Sequence, residues 1–311
     1  MSSAEKAASI MRNLEGPDFR VLQAVELGMG QRRFVPFVDI GKYTGFSVSE
    51  IQFRVNKLHR EGLLYHRTQP YIGYSLNYLA YDCLAVHALV QAGILEGFGK
   101  SLGVGKEADV YDAVTPTGEQ VAVKFHRIGR TSFRDIRRKR GYEGEQGHTS
   151  WLHRSRLSAE KEFEGLEKVY AVGVAAPRPI KQNRHVIVMT IIEGLELADV
   201  RVVKNPRRVL NEILHNIRVA YGKAGVVHAD LSEYNIIIKP DEHILIIDWP
   251  QYVTKDHPNA RDLLERDVGN VLTYFLRKFG VERSLEKTMH FVMQRFRASI
   301  PQREANTKMP L

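Results

Sequence analysis

Four side chains in one stretch have the types and spacing to do chemistry together. Between Val226 and Gln251, VVHADLSEYNIIIKPDEHILIIDWPQ, the polar residues His228, Asp230, Asn235 and Asp248 interrupt runs of β-branched apolar residues. The runs Ile236 to Ile238 and Ile244 to Ile247 read as short buried strands. The reactive residues fall in the turn before the first run and at the end of the second. Asp230 and Asn235 have the spacing D-x-x-x-x-N, and Asp248 opens a D-W-P segment. Transfer of a phosphoryl group from ATP needs such a set. One carboxylate faces the acceptor oxygen, while an amide and a second carboxylate hold the metal that neutralises the β- and γ-phosphates. Each residue alone is ordinary in a turn; the ordered spacing carries the reading.

That chemistry requires upstream elements, and the chain supplies candidates in order. Phe98 to Tyr111, FGKSLGVGKEADVY, sets Gly103, Val104, Gly105, Lys106 and Glu107 between two strand-like runs. It is not a Walker A loop, because Glu107 stands where Ser or Thr must follow the lysine. It reads instead as a strand-turn-strand flap over phosphates. Ala108 takes the third glycine position of G-x-G-x-x-G. The strand QVAVKF then places Lys124 against the α- and β-phosphates. A lysine on a buried strand needs a carboxylate partner. Residues 157–170, LSAEKEFEGLEKVY, form an amphipathic helix with Ala159, Phe163, Leu166 and Tyr170 inward. Glu160, Glu162 and Glu164 compete for the pairing. Glu162 is favoured because it lies beside the apolar stripe, with Glu160 the alternative. The run HVIVMTII reads as a buried strand ending at the hinge, with Met189 as gatekeeper and backbone groups of Thr190 to Ile192 meeting adenine.

The elements before residue 94 form a separate pattern. Asp18 is placed to cap a helix carrying Phe19, Leu22 and Val25, and a short helix follows around Val35 to Tyr43. Ser47-Val-Ser-Glu50 is a capping box opening a helix with Ile51, Val55 and Leu58. Two short strands around a TQP turn follow, then a helix capped by Asn77 with Leu79, Cys83, Val86 and Val90 as its stripe. Three helices and a hairpin make a winged-helix pattern. Its third helix offers Arg54, Lys57 and Arg60 to nucleic-acid phosphates. The fold class is therefore α+β: a winged helix-turn-helix domain over 1–93, then a bilobal, trimmed kinase-like domain over 94–311. Its N-lobe spans about 94–192 and its C-lobe about 193–311.

Composition agrees with such a protein. The 311 residues are 43% hydrophobic and 26% charged, as in soluble globular chains. A net charge of +9 and a pI near 9.5 favour a polyanionic partner. Cys83 is the sole cysteine, which excludes an internal disulfide and suits a reducing, cytoplasmic setting. No run of about 18 apolar residues suggests a membrane span.

The sequence resembles the RIO-type atypical protein kinases, in the branch with an N-terminal winged helix. GVGKEADVY (103–111), VKFHRIGRTSFR (123–134), VHADLSEYN (227–235), IIDWPQ (246–251) and HPNARDLLERDV (257–268) carry the resemblance, which runs from about Asp18 to Gly280. The family's glycine loop usually reads G-K-E-S-D, so Ala108 replaces a serine; Trp249 takes a position often held by Phe. The resemblance implies ATP with Mg2+ (or Mn2+), with Asp230, Asp248 and Lys124 catalytic and Asn235 and Asp248 on the metal. It further implies action on the immature small ribosomal subunit, its rRNA and assembly proteins, with ATP hydrolysis as the working activity and Asp248 able to carry a phosphoryl group. The short chain after Asp248 leaves no room for the usual peptide-binding lobe. The stretch from Arg127 to Arg140 carries seven basic residues; Arg137, Arg138, Lys139 and Arg140 are its candidate RNA contacts. Two other readings share the motifs. A small-molecule phosphotransferase of the aminoglycoside-kinase type also uses H-x-D-x-x-x-x-N and I-D-W, but has a larger C-terminal substrate lobe. A non-catalytic RNA-binding scaffold would not need Lys124, Asp230, Asn235 and Asp248 together.

Overall fold

Caps and apolar stripes direct the first part of the chain in the computed structural model, which describes residues 3–128 and 147–294. A helix not expected from sequence, α1 (Ser3–Met11), buries Ala7 and Ile10. In α2 (Gly16–Met29) the N-cap is Glu15, not Asp18. Asp18 sits one turn in, wholly buried, and its carboxylate accepts the Glu15 amide at 2.9 Å. β1 (Val35–Pro36) and α3 (Phe37–Thr44) follow, then α4 (Val48–Arg60), whose Ser47 cap accepts the Glu50 amide at 3.2 Å. β2 (Leu64–Arg67) and β3 (Gly73–Leu76) pair antiparallel, with β1 on the far side of β3. These elements complete the winged helix.

The buried Asp18 carboxylate changes the role of α4. A carboxylate taken from water needs compensating charge. Arg54 lies 3.2 Å from Asp18 and 2.5 Å from Glu15, and Lys57 lies 2.7 Å from Asp18. The expectation that Arg54 and Lys57 face nucleic-acid phosphates is thereby corrected: both are engaged inside the domain. Arg60 remains exposed. Arg137, Arg138, Lys139 and Arg140 lie outside the described residues.

Helix α5 (Tyr78–Gln91) belongs to two cores. Ala80, Cys83 and Leu84 pack with the winged helix, while Ala85, Val86 and Leu89 pack against the sheet that follows. Val90, expected in the stripe, is 39% exposed. That sheet is antiparallel, ordered β4-β5-β6-β8-β7, from β4 (Gly97–Val104), β5 (Ala108–Val114), β6 (Gln120–His126), β7 (Pro179–Asn183) and β8 (Val186–Thr190). β4 is an edge strand with two register shifts against β5. Helix α6 (Gly147–Ala171) turns Ala159, Glu162, Leu166 and Val169 inward; Tyr170, expected inward, is 45% exposed. At Gly165 an added Cβ would stand 2.9 Å from the Tyr252 ring and 3.2 Å from Trp249, so only glycine lets α6 lie this close to the segment after Asp248.

The remaining core holds α7 (Pro206–Val219), α8 (Ala260–Phe279) and α9 (Leu285–Met293) against short strands. β11 (Ile236–Ile238) pairs with β12 (Ile244–Ile246) and with β9 (Leu195–Glu196). β10 (Val226–Val227) pairs with β13 (Val253–Thr254).

A buried charged cluster joins α5 to the sheet. Arg127 forks onto Asp82 at 2.6 and 2.8 Å, and His185 Nε2 lies 2.8 Å from the same carboxylate. Burial lowers the His185 pKa from 6.5 to about 4, despite the Asp82 contact that opposes it. Folded His185 is thus neutral at pH values where an unfolded imidazole is protonated. Stability from this group is complete above about pH 6.5 and is lost as pH falls toward about 4. His87, half-buried and stacked on Phe19, shifts in the same direction. The thermal midpoint should therefore fall through that interval, with a shallower fall in His185→Gln; parallel curves for the two proteins would place the acid sensitivity elsewhere.

Candidate active site

Lys124 sits in the middle of the sheet, opposite Val110 on β5 and Ile187 on β8. Its Nζ lies 2.7 Å from Glu162 Oε1 and 2.5 Å from Asp248 Oδ1. Burial alone would favour the neutral amine, but the two carboxylates reverse this and raise its pKa, so the ammonium stays charged. Burial would push the Glu162 carboxyl up; Lys124 first, then His126, hold it down at about 2. Of the three competing glutamates, only Glu162 meets Lys124. Glu160 pairs with Arg156 and Glu164 with Lys168 on the helix surface.

The loop before β11 is held from behind by α8. Both oxygens of Asp267 accept backbone amides, Ala229 at 2.7 Å and Leu231 at 3.0 Å. Burial raises the pKa of Asp267, opposed by His228 and these amides. Arg266 donates to the Ala229 carbonyl and Asn270 to that of Leu231 at 3.1 Å. This clamp lets Ala229 adopt φ +66, a left-handed conformation that costs a Cβ-bearing residue about 1–2 kcal/mol. The turn exposes the Asp230 side chain. Asn235 donates Nδ2–H to the Asp230 carbonyl at 2.8 Å, which leaves its amide oxygen as an acceptor. His228 lies 2.9 Å from the Ile247 carbonyl, tying the loop to the strand end that presents Asp248. Asp248 is itself left-handed, φ +67, a region that Asp tolerates better than most residues. Trp249 fills the space behind it, with Nε1 donating to Ile246 at 3.1 Å.

The flap lies at the sheet edge. Gly103 and Val104 pair with Val110 and Asp109, and the Gly105 amide donates to Ala108 at 2.8 Å. Gly103, Val104, Gly105, Lys106 and Glu107 are exposed. Met189 is buried opposite Ala122. The Thr190 amide donates to Arg178 at 3.0 Å, so it is not free for adenine; Ile191 and Ile192 lie past the end of β8.

These residues fit a magnesium nucleotide. Among the described residues no three His, Cys, Asp or Glu side chains cluster as a metal cage. A Mg2+ ion that borrows phosphate oxygens needs only one or two carboxylates. Asp248, with a side chain 41% exposed, and the unengaged oxygen of Asn235 supply that set.

The chain matches the RIO domain over residues 109–288 and the Rio2 N-terminal domain over residues 11–92. It belongs to the RIO kinase family, in the Rio2 branch. It is 39% identical over 275 residues to the serine/threonine-protein kinase RIO2 of Caenorhabditis elegans, covering 88% of this chain and 52% of that protein. To the RIO-type serine/threonine-protein kinase Rio2 of Methanocaldococcus jannaschii it is 37% identical, covering 83% of this chain and 96% of that one. The chain thus spans about half the length of some Rio2 relatives (52% for the nematode protein) and nearly all of the archaeal one (96%). The fold superimposes on the Rio2 kinase of Chaetomium thermophilum, solved as an ADP/Mg2+-phosphoaspartate complex, with a TM-score of 0.80, 33% identity, and coverage of 90% of this chain and 87% of that one.

Within this Rio2 site, sequence reasoning missed the residues that act from behind. Asp267 sits inside an apolar helical stripe, and that misplaced charge was the available signal. His126, buried, lies 2.9 Å from the second Glu162 oxygen and 3.0 Å from Ser158. Asp267→Ala would leave two buried amides without acceptors, at about 1–3 kcal/mol each. Urea unfolding should show a loss of about 2–5 kcal/mol; a loss below about 1 kcal/mol would mean the loop holds its own shape.

Proposed function

We propose that this chain binds Mg-ATP beneath the 103–107 flap and turns it over as an ATP-dependent phosphotransferase and ATPase of the Rio2 type. One observation carries the reading: the buried Lys124 ammonium touches both the helical Glu162 and the strand-end Asp248. An ammonium shared in this way is poised to trade Asp248 for α- and β-phosphate oxygens without losing Glu162. Asn235 and Asp248 would hold the magnesium ion, which when bound neutralises charge on the β- and γ-phosphates.

In this reading an Asp248 oxygen attacks the γ-phosphorus, and the bond from that phosphorus to the bridging oxygen breaks. ADP leaves with the electron pair. Water then attacks the acyl phosphate, Asp230 takes its proton, and inorganic phosphate and the Asp248 carboxylate are released. The phosphoaspartate named for the Chaetomium thermophilum kinase supports this route. The Rio2 relatives are named serine/threonine-protein kinases; we place ATP turnover first on the strength of the phosphoaspartate named for the Chaetomium thermophilum kinase.

The working context we propose is maturation of the small ribosomal subunit, with pre-rRNA and assembly proteins as partners, in the cytoplasm. The net charge of +9 and the winged helix support a polyanionic partner. No helix among the described residues is long and apolar enough to cross a membrane. We keep residues 1–93 and 94–311 as two domains, with partner binding assigned to the first.

Two outcomes test the chemistry. Lys124→Ala should weaken Mg-ATP binding or turnover by at least about tenfold, measured by calorimetry and phosphate release; parity with wild type would remove Lys124 from the phosphates. After incubation with Mg-ATP, a fraction of the enzyme should carry a hydroxylamine-labile phosphate that is absent in Asp248→Ala and much reduced in Asp230→Ala. Label that resists hydroxylamine and maps to Ser or Thr would exclude the intermediate.

A further inference from the structure

Arg127 is three residues beyond the lysine assigned to the phosphates, yet it is 2% exposed and pairs with Asp82 and Asp109 rather than with Glu162 or Asp248. Its guanidinium makes the two-pronged contact with Asp82 of α5 and donates Nε–H to Asp109 at 3.1 Å. Its backbone amide donates to the Glu107 carbonyl at 2.6 Å. Asp109 and Glu107 flank Ala108, which stands opposite His126 in the sheet. One residue therefore holds both neighbours of Ala108, where the flap runs into β5, and is itself held by a carboxylate from the N-terminal domain. The adjoining backbone is fixed from the same side: Tyr78 of α5 donates to the Ile128 carbonyl at 3.0 Å, and the Ile128 amide donates to Ser155 at 3.1 Å.

We infer that Asp82 is a positioning residue for the nucleotide flap, acting through Arg127, so that the N-terminal domain is a working part of the ATP site. The inference deepens the ATP reading and rests on it for its kinetic consequence. A planar guanidinium fork on a carboxylate fixes direction as well as distance, which a lysine cannot do. The flap is otherwise an edge strand with register shifts against its one neighbour in the sheet. Its base is where order must be imposed. A flap whose base wanders closes less often on ATP, which weakens binding. The carboxylates that do the chemistry lie on other elements, so turnover of bound ATP is largely spared.

The experiment uses the full chain with Asp82→Asn, Arg127→Lys, the double variant, and Cys83→Ala as a control that trims the face of α5 turned toward the winged-helix core. ATP KM should rise about tenfold in Asp82→Asn and in Arg127→Lys with kcat within about twofold. The double variant should be no worse than either single, since both remove one contact. Cys83→Ala should leave KM unchanged. Hydrogen exchange without nucleotide gives a second readout: amides of residues 103–110 should exchange about tenfold faster in Asp82→Asn, while those of α8 keep wild-type rates. Acceleration spread evenly over the chain, or wild-type exchange at 103–110, would overturn the inference and leave Asp82 a structural residue only. Failure of the wild type to bind ATP would overturn the phosphotransfer reading, and the exchange rates would still decide the positioning role.

Discussion

The Lys124 ammonium is the contact on which the rest of the structure depends. It is a charge on a buried strand, and a buried charge survives only if oxygens are brought to it. Those oxygens come from 38 and 124 residues away along the chain. Much of the architecture serves that convergence. α6 must approach closely enough to deliver Glu162, which Gly165 permits by offering no Cβ to the Tyr252 ring. β12 must end where Asp248 can turn back, which the left-handed backbone at that residue accomplishes. The loop carrying Asp230 must stay in register with that strand end, which His228 secures through the Ile247 carbonyl. Removing the Lys124 ammonium leaves the buried Glu162 carboxylate without the cation that holds its pKa down, so the same interaction supports both fold and chemistry.

The site was legible in the sequence where its logic is local. V-A-V-K on an apolar strand, the spacing from Asp230 to Asn235, and the phase of Glu162 on its helix can all be read within a few residues. What could not be read depends on distant partners. Nothing near Arg54 or Lys57 announces that a carboxylate 36 to 39 residues earlier is buried beneath them. Read alone, they are the cations of a recognition helix. Asp267 looks like a break in an amphipathic stripe until the loop it holds is seen. Tyr170 was misplaced by one step of helical phase, the core position going to Val169. α1 escaped because nine residues with few large apolar side chains give weak periodicity.

The winged helix is not simply tethered to the kinase-like part. Half of α5 closes one core and half closes the next, and Arg184, in the turn between β7 and β8, forks onto Glu26 of α2 at 2.6 and 2.7 Å. With the Asp82 cluster, this gives the junction apolar area, charge pairing and directional hydrogen bonds together. A loose linker would let the two parts reorient; a junction of this kind makes them move as one body.

The bulged flap has a consequence for solubility. As an edge strand, β4 leaves a row of backbone groups unpaired at the sheet margin, with Leu102 and Val104 52% and 65% exposed. An exposed apolar edge of that kind is a template for intermolecular β-pairing and aggregation. The register shifts at Phe98–Ser101 and Ser101–Gly103 spoil the flat spacing that an incoming strand would need, and Lys100 adds a charge to the margin. The irregular register thus guards against one molecule adding its strands to another.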